Sequence, residues 1–498
     1  MNNTDLRRFR LNLPFINFPV VLRVIGLLLV IESVFLLLPL ATCLYYGEDD
    51  WRAFLVTLAI TLTCGGAMTL IRPSSSAMGK REGFLLTALV WVFFSIFGMI
   101  PFIIARVNPM NVHDAFFEAM SGFTTTGATI MTSISHLSHG AVIWRSLMQW
   151  IGGMGIILFT LAVIPMLNHS GGMQMFNAEV TGITHDKLRP RISQTAKSLW
   201  LIYFTLTAIL FILLQVGPME TFDALNYAFS IMSTGGFSTS DEGLSLWHSD
   251  YIEIVTTFFM FIGGVSFTLI YRAVHRDFRA VWSNDVFRFY LFIIAFFYVL
   301  FVANIFFKGQ ATSLKSWTLD PLFQIVSLIS STGFEVGDFG SWGTFAISMS
   351  MFLMYFGACA GSTSGGAKLD RLIYMLKNCR NEIDRCIHPN NILTVRVSGR
   401  VIPHETVSKV TAFLCIYMFI IIVGGIVLTA MGMPLVDSFF STFTCISNTG
   451  LASGVTGYGG SFALVPDAGK WLLAFIMLTG RLELFTVLVI FTPSFWKK

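Results

Sequence analysis

The chain has 498 residues, 54% of them apolar and only 12% charged, against about one quarter charged in a soluble domain. A formal net charge of +4 could suit a nucleic-acid partner, but the basic residues lie between hydrophobic stretches and form no single patch or arm. Composition therefore excludes an ordinary soluble domain and makes a bilayer the natural solvent.

In chain order, apolar stretches run over Val20–Pro39, Phe84–Ala105, Ser198–Leu214, Phe289–Ala303, Val410–Met431 and Leu472–Phe491, near or above the roughly 20 residues that span a hydrocarbon core. They are too many and too dispersed for one signal peptide. With Arg7, Arg8 and Arg10 on the cytoplasmic side, most of the Lys and Arg gather there: Lys187–Lys197, Arg272–Arg288, Lys368–Arg400, Lys497 and Lys498. That asymmetry follows the positive-inside rule and puts both termini in the cytoplasm. Cys43, Cys64, Cys359, Cys379, Cys386, Cys415 and Cys445 show no C-x-x-C and no histidine at zinc spacing, so neither a disulfide framework nor a metal site is expected.

One pattern recurs four times: an acidic residue, an amphipathic segment of about three turns, and a Ser/Thr/Gly cluster ending in glycine. The copies run Asp114 to Gly127, Asp223 to Gly236, Asp320 to Gly333 and Asp437 to Gly450, an interval of 13 each time. Each lies between two apolar spans, so the unit reads as outer helix, re-entrant segment, inner helix. Asp suits the N-cap of the short segment, and Pro321 after Asp320 sits where a missing N–H is no loss. A helix that stops at mid-membrane leaves carbonyls that lipid cannot satisfy.

A lone membrane glycine usually serves close helix packing. Four at constant phase read as a selectivity filter, in which extended backbone points carbonyls at a central axis and replaces a monovalent cation's water shell. The half-helix C-termini add negative dipole character toward that axis. The filter residues are then Thr125, Thr126 and Gly127; Thr234, Gly235 and Gly236; Ser331, Thr332 and Gly333; Asn448, Thr449 and Gly450. Gly235 stands where the other copies have Thr, leaving a one-residue ambiguity in the second. Asp241, Glu242, Glu335 and Asp338 follow the filters; they either concentrate cations at the mouth or are solvated loop carboxylates without a role.

These motifs, with Trp150–Gly155 at the start of the first inner helix, Gly263-Gly264-Val265, the Gly357–Gly366 run and Gly480-Arg481-Leu482-Glu483, closely resemble the Trk/Ktr/HKT superfamily of potassium transporters. Extra spans near residues 20–46 and 53–71 resemble its bacterial Trk branch. The resemblance implies an all-α integral membrane protein with four tandem outer helix/pore-loop/inner helix repeats in pseudo-fourfold arrangement plus two additional N-terminal helices. Its divisions would be an N-terminal helix pair over 1–80 and pore repeats over 81–192, 193–284, 285–400 and 401–498. It further implies potassium uptake across the bacterial inner membrane, K+ at the filter residues, a homodimer, and a cytosolic, nucleotide-binding regulatory subunit of the TrkA kind. Plant members that prefer sodium carry Ser at the first signature position; Gly127 points to potassium.

The run Gly357-Ala-Cys-Ala-Gly361-Ser362-Thr363-Ser364-Gly365-Gly366 cannot hold a helix in lipid, and irregular backbone at that depth needs protein or a water-filled cavity around it. In the family the matching segment is an intramembrane gate under the filter; a plain kink is the simpler reading. A phosphate-binding loop ending at Lys368 fails, because Ala367 intervenes and Leu369 replaces the Ser/Thr that would hold magnesium. Arg481 is the one basic residue placed well inside a span. It either acts at the gate and inner cavity or forms a structural ion pair with Glu483 or another carboxylate.

Two other functions compete. A proton- or sodium-coupled potassium symporter would favour inverted repeats and midplane carboxylates, whereas these repeats share one orientation and the acids within spans are Glu32 and Glu483. An enzyme would need a paired nucleophile and base or clustered ligands. The histidines, among them His113, His136, His139, His169, His185 and His275, offer no such pairing. No catalytic residue and no cofactor beyond K+ is expected. The basic cytoplasmic loops suit a regulatory partner and equally suit anionic membrane lipid.

Overall fold

The computed structural model of the chain describes residues 16–73, 78–153, 155, 192–309, 313–336, 339–391, 393–452 and 461–497. Arg7, Arg8, Arg10, His169, His185, Lys187, Asp338 and Lys498 lie outside them.

The chain opens with α1 (Phe18–Phe35) and α2 (Leu37–Tyr46), which together form one apolar rod of 29 residues, and α3 (Trp51–Thr69) packs back beside α1. The two backbones approach at a pair of glycines. A Cβ on Gly26 would lie 2.7 Å from the Gly65 carbonyl oxygen, and one on Gly65 would lie 2.9 Å from that of Gly26. Small residues permit this approach where lipid supplies no hydrophobic drive between helices.

Four units follow, each with a long leading helix, a half-helix and a following helix. The first is α4 (Lys80–Gly98) continued by α5 (Ile100–Ile104), then α6 (Val112–Phe123) and α7 (His139–Gly153). The second is α8 (Ile192–Val216), α9 (Thr221–Met232) and α10 (Asp250–Gly264), with α11 (Phe267–Val274) bent 107° from α10. After the short α12 (Phe278–Trp282), the third is α13 (Asp285–Phe307), α14 (Leu314–Ile329) and α15 (Gly343–Phe356), resumed beyond a loop as α16 (Leu369–Ile387). A two-stranded antiparallel hairpin, β1 (Arg396–Val397) and β2 (Arg400–Val401), leads to the fourth: α17 (His404–Ala430), α18 (Leu435–Ile446), α19 (Asp467–Arg481) and α20 (Phe485–Leu488).

Among the described residues six helices are long and apolar enough to cross a bilayer: Phe18–Tyr46, Trp51–Thr69, Lys80–Ile104, Lys197–Val216, Asp285–Phe307 and His404–Ala430. The half-helices α6, α9 and α18 have 12 residues each. That is about 18 Å, well short of a hydrocarbon core of about 30 Å.

Three expectations need correction. Leu472–Phe491 is not one span, because the chain turns 112° after Arg481. The Trp150–Gly155 motif does not start the first following helix; α7 begins at His139 and carries Trp150 near its far end. The repeat aspartates are not N-caps. Asp114, Asp223 and Asp437 fall in the first helical turn behind Asn111, Glu220 and Pro434, where a carboxylate still meets the positive end of the helix dipole. In the third unit Ser313 is the cap, its Oγ accepting from Ser316 N at 3.2 Å, so Asp320 and Pro321 lie inside the helix. Lys368 and Arg371, at the start of the Lys368–Arg400 stretch, are buried in the protein.

Candidate functional site: a ring of four half-helix ends

The four half-helices end in the same turn. Thr125, Thr234, Ser331 and Asn448 adopt left-handed φ of 54°, 54°, 54° and 53°. The next residue donates its N–H five residues back: Thr126 to Ser121 O, Gly235 to Ser230 O, Thr332 to Ser327 O and Thr449 to Thr444 O, all at 2.9 Å. The left-handed residues themselves donate to Gly122 O, Ile231 O, Leu328 O and Cys445 O at 3.0–3.3 Å. This paired closure is the Schellman ending, which satisfies carbonyls that would otherwise be orphaned. Glycine normally takes the left-handed place; other L-residues cost roughly 1–2 kcal/mol there. Asn448 takes this place more readily than the others, but the same left-handed turn repeated four times in register, three of them at Thr or Ser, marks a constrained site.

Two residues on, Gly127, Gly236, Gly333 and Gly450 have φ of 83°, 83°, 80° and 75°. Gly236, and not Gly235, shares this conformation, so the register of the second copy is Thr234-Gly235-Gly236. Each glycine lies against the neighbouring unit. A Cβ on Gly127 would strike the carbonyl oxygen of Gly235, one on Gly236 that of Thr332, one on Gly333 that of Thr449, and one on Gly450 that of Thr126. The order one, two, three, four, one closes a ring, and any side chain at these positions would displace a carbonyl of it. The eight residues directly before the glycines are buried while the glycines keep partial exposure, as backbone lining a lumen would. Asn448 Nδ2 ties the fourth strand to the first through Thr126 Oγ1 at 3.0 Å.

The glycine-rich motifs lie against these ends. A Cβ on Gly152 would strike Phe123 O and one on Gly480 would strike Ile446 O, the equivalent carbonyl in the fourth unit. The stretch from Gly357 to Lys368 separates α15 from α16 without helix, with positive φ at Gly357, Gly361, Gly366 and Lys368. It docks on the break of the second unit: Cys359 N donates to Gly264 O at 3.1 Å, Thr363 N to Gly263 O at 3.3 Å, and Phe267 N to Gly361 O at 2.9 Å. It also touches the ring. Gly365 N donates to Ser331 Oγ, and a Cβ on Gly365 would strike Ser447 O. Ser362 and Ser364 share a hydroxyl hydrogen bond at 2.8 Å, and Lys368 Nζ donates to Ser364 O.

Arg481 donates Nη1 to Thr363 O and Nη2 to Gly152 O, both at 2.9 Å. It thereby joins the loop to the first unit, while Glu483 takes Arg371 as its ion partner. Arg371 also stacks 4.0 Å from the Phe413 ring centroid. Gly152, Ser364, Lys368, Gly480 and Arg481 line a small cavity between the loop and α7. All eight expected gate residues, Gly357, Gly361, Ser362, Thr363, Ser364, Gly365, Gly366 and Arg481, therefore belong to one assembly.

Sequence reasoning missed other buried charges. Glu118 on α6 and Arg145 on α7 are 0% and 1% exposed, with Arg145 Nε 2.8 Å from Glu118 Oε1. Glu118 also accepts from Thr129 Oγ1 and Ile130 N, each at 3.0 Å, and Arg145 sits 4.2 Å from the Phe237 ring centroid. The pair thus braces the strands just beyond Gly127 and Gly236. A lone carboxylate in an amphipathic half-helix and a lone arginine before the Trp150 motif were the available signals; their pairing was not readable. Glu253 and Asp370 are also buried, so Glu32 and Glu483 are not the only interior acids.

The acidic residues after the ring glycines divide. Asp241 accepts from Ser133 Oγ and Ser135 Oγ, each at 2.9 Å, and from Ile134 N, tying the second unit's loop to the first's. Burial would raise its carboxyl, but the Ile134 N–H and the two hydroxyls hold it below the usual carboxylate range. Glu242 is exposed. Among the described residues, one trio has metal-ligand proximity, His113, Asp114 and Asp467. Lys470 Nζ lies 2.6 Å from Asp114 Oδ1 and 3.6 Å from Asp467 Oδ1, so the protein supplies that cluster with its own cation.

Half-helices ending on one closed ring, among helices long and apolar enough to cross a bilayer, define the class: a multi-pass helical membrane protein. The chain belongs to the TrkH family of cation transport proteins, whose family model matches residues 50–498. It is 34% identical to the Trk system potassium uptake protein TrkH of Salmonella typhimurium over 97% of this chain and 100% of that one. To the TrkG protein of Escherichia coli K12 it is 31% identical, over 96% and 98%. The crystal structure of the potassium transporter TrkH from Vibrio parahaemolyticus superimposes with a TM-score of 0.87 at 32% identity, covering 97% of this chain and 100% of that one. This is a family of transporters and not of enzymes.

Proposed function

We propose that this chain takes potassium ions into the cell through a channel-like pore, with the four-glycine ring as selectivity filter and the Gly357–Lys368 loop as gate. One observation carries the reading: each ring glycine abuts a carbonyl of the next unit, in an order that returns to the first. Main-chain oxygens around such an axis can replace the hydration of a monovalent cation without trapping it. Potassium as the ion follows from the named relatives, which are potassium uptake proteins.

On this reading residues 1–80 are a supporting helix pair, and 81–192, 193–284, 285–400 and 401–498 are the four pore repeats. Arg481 latches the gate in its present position by holding Thr363 O to Gly152 O. The chain works in the bacterial inner membrane with both termini cytoplasmic, as a homodimer with a TrkA-like regulatory subunit. Rubidium-86 uptake into liposomes holding the purified protein, with sodium competition, tests this. Uptake driven by the potassium gradient, indifferent to a pH gradient and lost or made sodium-tolerant in Gly127→Ser, is the expected result. Uptake that requires an imposed proton or sodium gradient would move the assignment to a symporter.

A further inference from the structure

In three units the residue before the ring glycine is threonine, and its hydroxyl ties back to the hydroxyl two residues earlier. Thr126 Oγ1 lies 2.8 Å from Thr124 Oγ1, Thr332 Oγ1 lies 2.7 Å from Ser330 Oγ, and Thr449 Oγ1 lies 2.9 Å from Ser447 Oγ. The second unit has Gly235 at this place and cannot make the clasp. Its Ser233 hydroxyl turns to the helix carbonyls of Phe229 and Ser230, at 2.8 and 3.0 Å.

The space is filled from another unit. Gln149 of α7 is fully buried, and a Cβ added to Gly235 would strike its Cδ and lie 2.6 Å from Oε1 and 2.8 Å from Nε2. Gln149 Oε1 accepts from Ser230 Oγ at 2.8 Å and from Phe237 N at 3.2 Å, while Nε2 donates to Gly235 O at 2.7 Å. A backbone N–H only donates, so the Phe237 contact fixes which end of the amide is oxygen. Gly235 O is also the oxygen that a Cβ on Gly127 would strike. It is therefore one of the four ring carbonyls, and Gln149 gives it an amide donor from the side.

We propose that Gln149 is a positioning residue that sets ion selectivity: it braces the second filter strand in place of the missing hydroxyl clasp and polarises one carbonyl of the ring. The proposal rests on the filter reading above. A carbonyl already accepting an N–H has part of its lone-pair capacity engaged and is held at a fixed distance from the axis. The ring is thus chemically unequal, with three strands clasped by their own hydroxyls and one by a side chain from the first unit. A cation that fits the braced ring loses its advantage when the second strand can relax toward a smaller one.

The test measures rubidium uptake against sodium competition in liposomes for the wild type, Gln149→Met, Gly235→Thr and the double variant Gly235→Thr/Gln149→Ala. Methionine keeps the volume and removes the donor, and the preference for potassium over sodium should fall about fivefold, the worth of one neutral hydrogen bond. Gly235→Thr alone should abolish selective uptake, because the incoming side chain meets Gln149. The double variant should recover part of it, since the space is vacated and the threonine can reach Ser233, while the donor to the ring carbonyl stays absent. Size-exclusion profiles of every variant separate loss of folding from loss of selectivity.

An unchanged ion preference in Gln149→Met would overturn the proposal, as would a double variant no better than Gly235→Thr. If the wild type itself shows no potassium-selective uptake, the filter reading falls first and this inference with it.

Discussion

Replacing Arg145 with methionine leaves the Glu118 carboxylate without its cationic partner at a place closed to solvent, where the two side chains are 1% and 0% exposed. Removing one partner of a buried ion pair costs about 3–5 kcal/mol, most of it the penalty of the stranded charge. Glu118 keeps the Thr129 hydroxyl and the Ile130 N–H, each at 3.0 Å, which puts the expected loss near the lower end, about 3 kcal/mol. That is roughly two decades in the ratio of folded to unfolded protein. The double variant Glu118→Gln/Arg145→Met carries no stranded charge and should be more stable than Arg145→Met alone. Unfolding of a protein this size is expected to be irreversible, so the variants are ranked by thermal inactivation in detergent at one heating rate. Rubidium uptake should follow the same rank, because Thr129 and Ile130 lie immediately beyond Gly127. An Arg145→Met protein as stable as the wild type, or a double variant whose loss equals the sum of the two single losses, would refute the idea that the pair acts as a unit.

Arg481→Ala removes the bonds to Thr363 O and Gly152 O, both 2.9 Å, and should raise ion flux severalfold by releasing the loop; equal flux in a reconstituted assay would count against the latch. Asp241→Asn removes the acceptor for Ile134 N–H and the Ser133 and Ser135 hydroxyls and should lower uptake. Because the folded carboxyl sits below its ordinary value, its contribution is complete above about pH 3.9 and fades only as pH falls through the lower folded value. The difference between Asp241→Asn and the wild type should therefore be the same at pH 7 and pH 5, and a difference that shrinks by pH 5 would show a carboxyl raised above its ordinary value, contrary to this placement.

The units were legible because their constraint is local and repeated. A constant interval from Asp to Gly, flanked by apolar spans, places Thr125 to Gly127 and its three counterparts at the ends of half-helices whichever way the rest packs. What the spacing could not supply is the neighbour of each part. That Gly127 meets Gly235 O, or that Arg481 bridges Thr363 O and Gly152 O, depends on packing between segments far apart in sequence. The helix entries were misread for a related reason: Asp114, Asp223 and Asp437 favour the first turn through the helix dipole as readily as the cap itself. Ser313 upstream, with its own capping bonds, lengthened α14 past Asp320. Glu118 and Arg145 stayed hidden because each looks like an isolated polar residue until α6 and α7 come together. The strain at Thr125, Thr234 and Ser331 was equally invisible, since a Schellman ending normally announces itself with glycine or asparagine.

Ions must meet main-chain oxygens inside the ring for this pore to select potassium. Crystals grown with thallium or rubidium and measured at the absorption edge of that ion locate it directly. Anomalous peaks on the axis, within reach of the carbonyls of Thr126, Gly235, Thr332 and Thr449, are the predicted result; ions bound only beside side-chain carboxylates away from the ring, with none between those four strands, would contradict it.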